Sequence, residues 1–182
     1  MRILSLILTY LVITLNSIAA NAAPNWQVQS YQANGSGCKS DNVEIKKEAA
    51  DTLNISFSDL AITKSGRKNC VITISLEKLN KWTFAIEEVK THYQRNSNLN
   101  SSTKVSTYTY FQGESQDTKF VDNWSGKHNG EMTFKKMAEK PVFAPCDKKR
   151  SLNINTALRN RGKADVKISS PMQFKLLWRK CK

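Results

Sequence analysis

Glycine and proline are scarce, seven and four in 182 residues, and histidine is scarcer still, with only two. Few chain-breakers and a hydrophobic fraction of 40% describe a chain that folds around a core rather than a disordered one. The two histidines, His92 and His128, form no His-x-His or His-Glu-x-x-His spacing, so no metal centre is expected. There is no Gly-x-Ser-x-Gly nucleophile turn and no glycine-rich phosphate loop, and no cofactor is expected. Acidic residues are also in short supply, 15 against 28 Lys and Arg, for a formal charge of +13. After residue 22 no run is apolar enough to span a bilayer, none has helical periodicity, and no repeat or linker divides the chain.

The first 22 residues have the pattern of a secretory leader. Arg2 supplies the positive start and Ile3–Leu15 the apolar run. Ala20-Asn21-Ala22 supplies a small-x-small site that predicts cleavage between Ala22 and Ala23. A secreted or periplasmic β domain over residues 23–182 is expected. In an oxidising compartment, Cys38, Cys70, Cys146 and Cys181 are most economically two disulfides. A zinc site would favour close ligand pairs, and these spacings are wide.

Along the chain, short alternating runs recur. Trp26–Gln32 leads to a turn at Asn34–Gly37. Val43–Lys47 and Thr52–Phe57 read as a hairpin. Ile62–Asn69 reads as a basic loop and Cys70–Leu76 as a strand. In Trp82–Tyr93 the apolar parity switches at Glu87–Glu88, which predicts a bulge. Asn96–Thr103 reads as a polar loop, Lys104–Gln112 as a strand, and Gln116–Val121 and Glu131–Met137 as strands around a turn-rich Asn123–Gly130. In Ser151–Arg159, Leu152, Ile154, Thr156 and Leu158 share one face. Asn153, Asn155 and Ala157 share the other, where the carboxamides are either solvated or hydrogen-bonded in a row. A turn at Asn160–Gly162, a short strand at Asp165–Ile168 and a last strand at Met172–Trp178 follow. About ten short strands predict an all-β antiparallel sandwich, with a barrel as the alternative. Asn-x-Ser matches at Asn34, Asn54, Asn100 and Asn123 matter only where the host glycosylates secreted proteins.

Four cysteines allow three connectivities. If Leu152–Leu158 and Met172–Trp178 are antiparallel neighbours, Cys181 falls beside Cys146. The Val43–Phe57 hairpin likewise lets Cys38 reach the loop that ends at Cys70. The expected pairs are Cys38–Cys70 and Cys146–Cys181, each worth about 3–4 kcal/mol in the chain-entropy model.

A set of motifs occurs in order: Gly35-Ser36-Gly37-Cys38, Phe57-Ser58-Asp59-Leu60, Arg67-Lys68-Asn69-Cys70, Tyr110-Phe111-Gln112-Gly113, Pro145-Cys146, Ser151-Leu152-Asn153-Ile154-Asn155-Thr156 and Leu177-Trp178-Arg179-Lys180-Cys181. The chain resembles, from about Ser30 to Cys181, the small secreted four-cysteine family called domain of unknown function 4360. That resemblance implies a secreted β-rich domain and no particular activity.

The charge is unevenly spread. Residues 23–134 carry 13 Lys and Arg against 12 acids, whereas residues 135–182 carry 14 against 3. The candidate anion-binding residues are Lys148, Lys149, Arg150, Arg159, Arg161, Lys163, Arg179 and Lys180. Trp82, Trp124, Tyr93, Tyr108 and Tyr110 could form a platform for sugars, with Trp124 the best candidate for exposure. The expected partner is an anionic polysaccharide, lipopolysaccharide or anionic membrane; export favours these over nucleic acid. A non-enzymatic binding module is the leading reading. The alternatives are a carboxylate-dependent hydrolase of an extracellular polymer, with Asp117, Asp122 and Glu131 as candidates, and a structural or protein-interaction module.

Overall fold

The computed structural model describes residues 23–77, 80–169 and 171–182, with the side chains of 98 and 99 left aside. The leader and its cleavage site lie outside the described residues, up to Ala22. Eleven strands follow in the order β1 (Val28–Gly35), β2 (Cys38–Lys39), β3 (Val43–Ala49), β4 (Thr52–Phe57), β5 (Ala61–Thr63), β6 (Gly66–Leu76), β7 (Trp82–Phe111), β8 (Asp117–Met137), β9 (Leu152–Arg161), β10 (Asp165–Ile168) and β11 (Met172–Lys180). The helical content among described residues is one 3₁₀ turn at Ser40–Asn42.

All pairings are antiparallel, in the order β2-β1-β6-β9-β7-β11-β4-β3, with β8 on β7 and with β10 between β5 and β7. The sheet folds into two layers because β7 belongs to both. Its residues 82–90 pair with β11 and its residues 102–111 with β9, while β8 follows it along nearly its whole length. Two irregularities let β7 turn the corner. At Glu87 the register against β11 skips a residue, so Ile86 and Val89 both face inward, at 1% and 0% exposure. This is the bulge expected at Glu87–Glu88, where an extra residue reverses the alternation. Between Ser97 and Ser101 the register against β8 shifts again.

On the opposite side the sheet nearly closes into a barrel. The gap between β1, which the two-residue β2 covers only at its end, and the edge strand β3 is bridged by Tyr31 Oη donating to the Val43 carbonyl at 2.9 Å, and by Lys47 Nζ donating to the Trp26 carbonyl at 3.1 Å. Between the layers, the ring of Phe84 lies 5.2 Å from those of Phe111 and Trp178, and Trp178 lies 6.0 Å from Trp26. Such pairs add about 0.5–1.5 kcal/mol beyond the area they bury. Leu152, Ile154, Thr156 and Leu158 of β9 are all at or below 1% exposure, as their alternation predicts.

Three expectations change. Asn96–Thr103 and Asn123–Gly130 are strand, not loop, because each supplies the other's ladder across the middle of the β7–β8 hairpin. The basic segment Ile62–Asn69 contains the end of β5 and the start of β6. Finally, β9 and β11 are not neighbours, since β7 lies between them.

Both expected disulfides are nevertheless present, Cys38–Cys70 and Cys146–Cys181, with Cα separations of 5.3 and 5.7 Å. For the second pair β7 is the common support. Ala144 N donates to the Phe84 carbonyl and Cys181 N to the Lys81 carbonyl, both at 2.9 Å, so the start of β7 aligns both segments. For the first, the β1–β6 ladder carries the turn to Cys70. Gly37 N donates to the Asn69 carbonyl at 2.9 Å. Gly35 has φ +155°, and a Cβ there would stand 2.2 Å from that same carbonyl oxygen. The Gly-Ser-Gly-Cys motif is thus a close backbone approach to β6.

Candidate functional site

The register of four adjacent strands puts exposed cations in rows. Across β8, β7, β9 and β6, the residues Asn123, Lys104, Arg159 and Arg67 stand opposite one another. The next row, toward the β7 bend, holds Ser125, Ser102 and Arg161. Their alternation turns these side chains away from the core; Lys104, Arg159, Arg161 and Arg67 are all exposed. The two rows border a concavity of about 320 Å³ lined by Ser102, Lys104, Asn123, Ser125, Arg159 and Arg161 with Thr103 and Trp124; no carboxylate lines it. Among the described residues none of the four cations forms an ion pair. Like charges directly opposite on paired strands are destabilising. The row Lys104–Arg159–Arg67 therefore costs folding free energy.

The eight cations singled out in the sequence do not converge. Arg159 and Arg161 join the concavity. Lys163, in the turn after β9, borders a separate depression with Lys64, Asn96 and Asp165. Lys148, Lys149 and Arg150 lie beyond the other end of β9, beside Trp82, Phe84, Trp178 and Cys146 around a cavity of only about 60 Å³. Arg179 and Lys180 also lie at that end, and aromatic rings engage them: Arg179 Cζ is 3.9 Å from the Phe143 ring and Lys180 Nζ is 5.6 Å from the Trp82 ring. Lys148 is 3.8 Å from Asp147, and Lys149 donates to Gln29. Conversely, Lys104 and Arg67 join the row from outside the basic C-terminal portion. Only strand register reveals them, and their own neighbours in sequence carry no signal.

Trp124 is half-buried and belongs to the inner side of the β7–β8 bend. Its ring centroid lies 4.0 Å from the guanidinium carbon of Arg95, a residue with no exposed surface. Arg95 Nε donates to Thr103 Oγ1 at 3.0 Å. Its Nη2 donates to the carbonyls of Ser101 and Gly126, at 3.1 and 2.9 Å, and to Ser101 Oγ. Thr103 Oγ1 donates in turn to Asn160 Oδ1 at 3.1 Å, and Asn160 Nδ2 reaches the Lys64 carbonyl at 2.6 Å. This network supplies partners to a corner where Ser and Asn replace apolar residues. Burial lowers the Arg95 pKa from its ordinary value. Nearby, Tyr93 Oη donates to Asp122 Oδ2 at 2.9 Å. Burial first, then that hydrogen bond and the Asp122 charge, push the phenol pKa well up.

The carboxylate candidates separate. Asp117 and Asp122 have opposite parity on β8, five residues or roughly 16 Å apart. Glu131 is nine residues beyond Asp122 and of opposite parity. Glu87 and Glu88 each hold a lysine, Lys175 at 3.3 Å and Lys135 at 3.2 Å.

A folded-over antiparallel sheet, two disulfides and an exposed cationic face define a class of small disulfide-clamped all-β proteins. The chain belongs to the family described as "Domain of unknown function (DUF4360)", whose pattern matches residues 24–181. An "Uncharacterized secreted protein" of Arthroderma benhamiae (strain ATCC MYA-4681 / CBS 112371) is 30% identical over 102 residues. The match covers 53% of this chain and 40% of that protein, so the chain spans less than half of its relative's length. Like that relative, the protein is secreted. Among the described residues no helix is long and apolar enough to cross a membrane. TmCBM61, solved in complex with β-1,4-galactotriose, superposes with a TM-score of 0.34 at 7% identity, covering 85% of this chain and 91% of that one.

Proposed function

We propose that the protein is a non-enzymatic binding module for an anionic polymer outside the cell, and that Lys104, Arg159, Arg161 and Arg67 form its binding face. The observation that supports this reading is the row of opposed, exposed cations without a carboxylate partner among the described residues. Neutralising them releases counterions and removes their mutual repulsion, so binding and stability are coupled.

The test is retention of the mature protein on heparin–agarose across a sodium chloride gradient. The expected result is binding at low salt that weakens steeply, with a log–log slope that falls when Arg159 and Arg161 are replaced by serine. Absence of retention at low salt, or an unchanged slope in the double variant, overturns the reading.

A further inference from the structure

The outer face continues beyond the cations. One row further along β7 and β9 stand Ser106 and Ala157, opposite each other, small and only 7% and 6% exposed. They leave a dip in the face. Beyond the dip, Tyr108 is opposite Asn155; in the next row, Tyr110 is opposite Asn153 and Asn153 is opposite Thr73. Both tyrosines are half-buried, and among the described residues neither hydroxyl makes a hydrogen bond to another side chain or to the main chain. Thr73 Oγ1 donates to Asn153 Oδ1 at 2.7 Å. Asn155 Oδ1, by contrast, is buried and accepts nothing. Beside this patch, Gln32, Asn34 and Thr73 line a further depression of about 410 Å³ between β1 and β6.

These residue types select among anionic polymers. A tyrosine ring presents a flat apolar surface that fits the C–H face of a sugar ring. A carboxamide offers a donor and an acceptor side by side, which suits adjacent hydroxyls. Polyphosphate has neither feature, and the charges that border the patch on β8 offset each other: Lys119, opposite Tyr108 with its Nζ 5.9 Å from that ring, lies 3.7 Å from Asp117, opposite Tyr110. The patch and the cations lie on the same two strands, with Lys104 and Tyr108 four residues or roughly 13 Å apart. A chain lying along β7 and β9 therefore reaches both.

We propose that the polymer is an acidic polysaccharide. Its sugar rings lie on Tyr108 and Tyr110, its hydroxyls meet Asn153 and Asn155, and its acidic groups reach Lys104 and Arg159. This rests on the anion-binding reading above and adds the chemical class of the ligand.

The test uses the mature protein with sodium polygalacturonate, and with inorganic polyphosphate of matched charge as the comparison. The double variant Tyr108→Ala with Tyr110→Ala is expected to bind polygalacturonate roughly tenfold more weakly while keeping the parent's affinity for polyphosphate. Part of the parent's polygalacturonate binding should survive about 0.5 M sodium chloride, where exposed charges are screened. A measurement on the unaltered chain covers the case of a misfolded variant: oligogalacturonate should shift the side-chain amide resonances of Asn153 and Asn155. Three results overturn the proposal: the tyrosine variant binding polygalacturonate like the parent, polyphosphate matching polygalacturonate in affinity and salt profile, or unmoved Asn153 and Asn155 signals. In each, loss of binding in the Arg159/Arg161 variant still upholds the anion-binding reading. If the parent binds neither polymer at low salt, both fall.

Discussion

The guanidinium carbon of Arg95 lies over the indole of Trp124, 4.0 Å from the ring centroid, in a corner of the fold where Ser101 and Thr103 also meet it. Arg95 carries its charge into the interior without a carboxylate, drawing instead on two hydroxyls and two carbonyls. Truncating it removes the donor to those acceptors and the cation from the inner face of Trp124. Arg95→Ala is expected to cost about 3 kcal/mol or more. Arg95→Lys recovers little, since an ammonium cannot reproduce the planar fork. Urea denaturation measures the loss, and red-shifted emission from a newly hydrated Trp124 should accompany it.

The opposition of Lys104 and Arg159 predicts a trade-off between stability and binding. Arg159→Ser, or Lys104→Ser, removes one member of a like-charge pair on paired strands. Either change should stabilise the free protein by up to about 1 kcal/mol at low ionic strength. The same change should weaken retention on heparin–agarose. Thermal melts at low and high salt check this, since the gain must shrink as the Debye length falls to about 3 Å at 1 M.

Tyr93 sets a limit at alkaline pH. Its phenol titrates above the ordinary value of 10.0 in the folded chain, because burial and the bond to Asp122 favour the protonated form. Its contribution is fully present below the unfolded pKa and is lost as pH rises toward the folded one. Lys175, whose pKa the Glu87 hydrogen bond raises, acts in the same direction, but its exposure keeps that effect small. Unfolding free energy should therefore fall above about pH 10. Tyr93→Phe should flatten that fall while costing about 1 kcal/mol at neutral pH.

The Cys146–Cys181 bridge lies at the opposite end of β9 from Arg159 and Arg161. Replacing both cysteines with alanine should cost about 3–4 kcal/mol, the entropy of a closed loop of this size. The variant's heparin retention, measured well below its melting temperature, should match the parent's. A large loss of retention would place the anion site instead at the Lys148, Lys149, Arg150, Arg179 and Lys180 end.

What the sequence determined by itself is what local pattern encodes. The alternation of Leu152, Ile154, Thr156 and Leu158 predicted their burial, and the parity switch between Ile86 and Val89 predicted the bulge at Glu87. The four cysteines and their spacing led to the right pairs. Part of the route to them was wrong, because β7 stands between the strands taken as neighbours. A strand's period fixes which residues point inward but says nothing of which strand lies alongside. Only the tertiary structure decided that Arg67, Lys104 and Arg159 share a row, since register joins residues far apart in the chain. It also decided that Asn96–Thr103 and Asn123–Gly130 are strands despite their loop-like and turn-rich composition. Their ladder is each other, Ser97 N donates to Asn129 Oδ1 across it, and the Thr103 hydroxyl finds partners in Arg95 and Asn160, which no local window contains together.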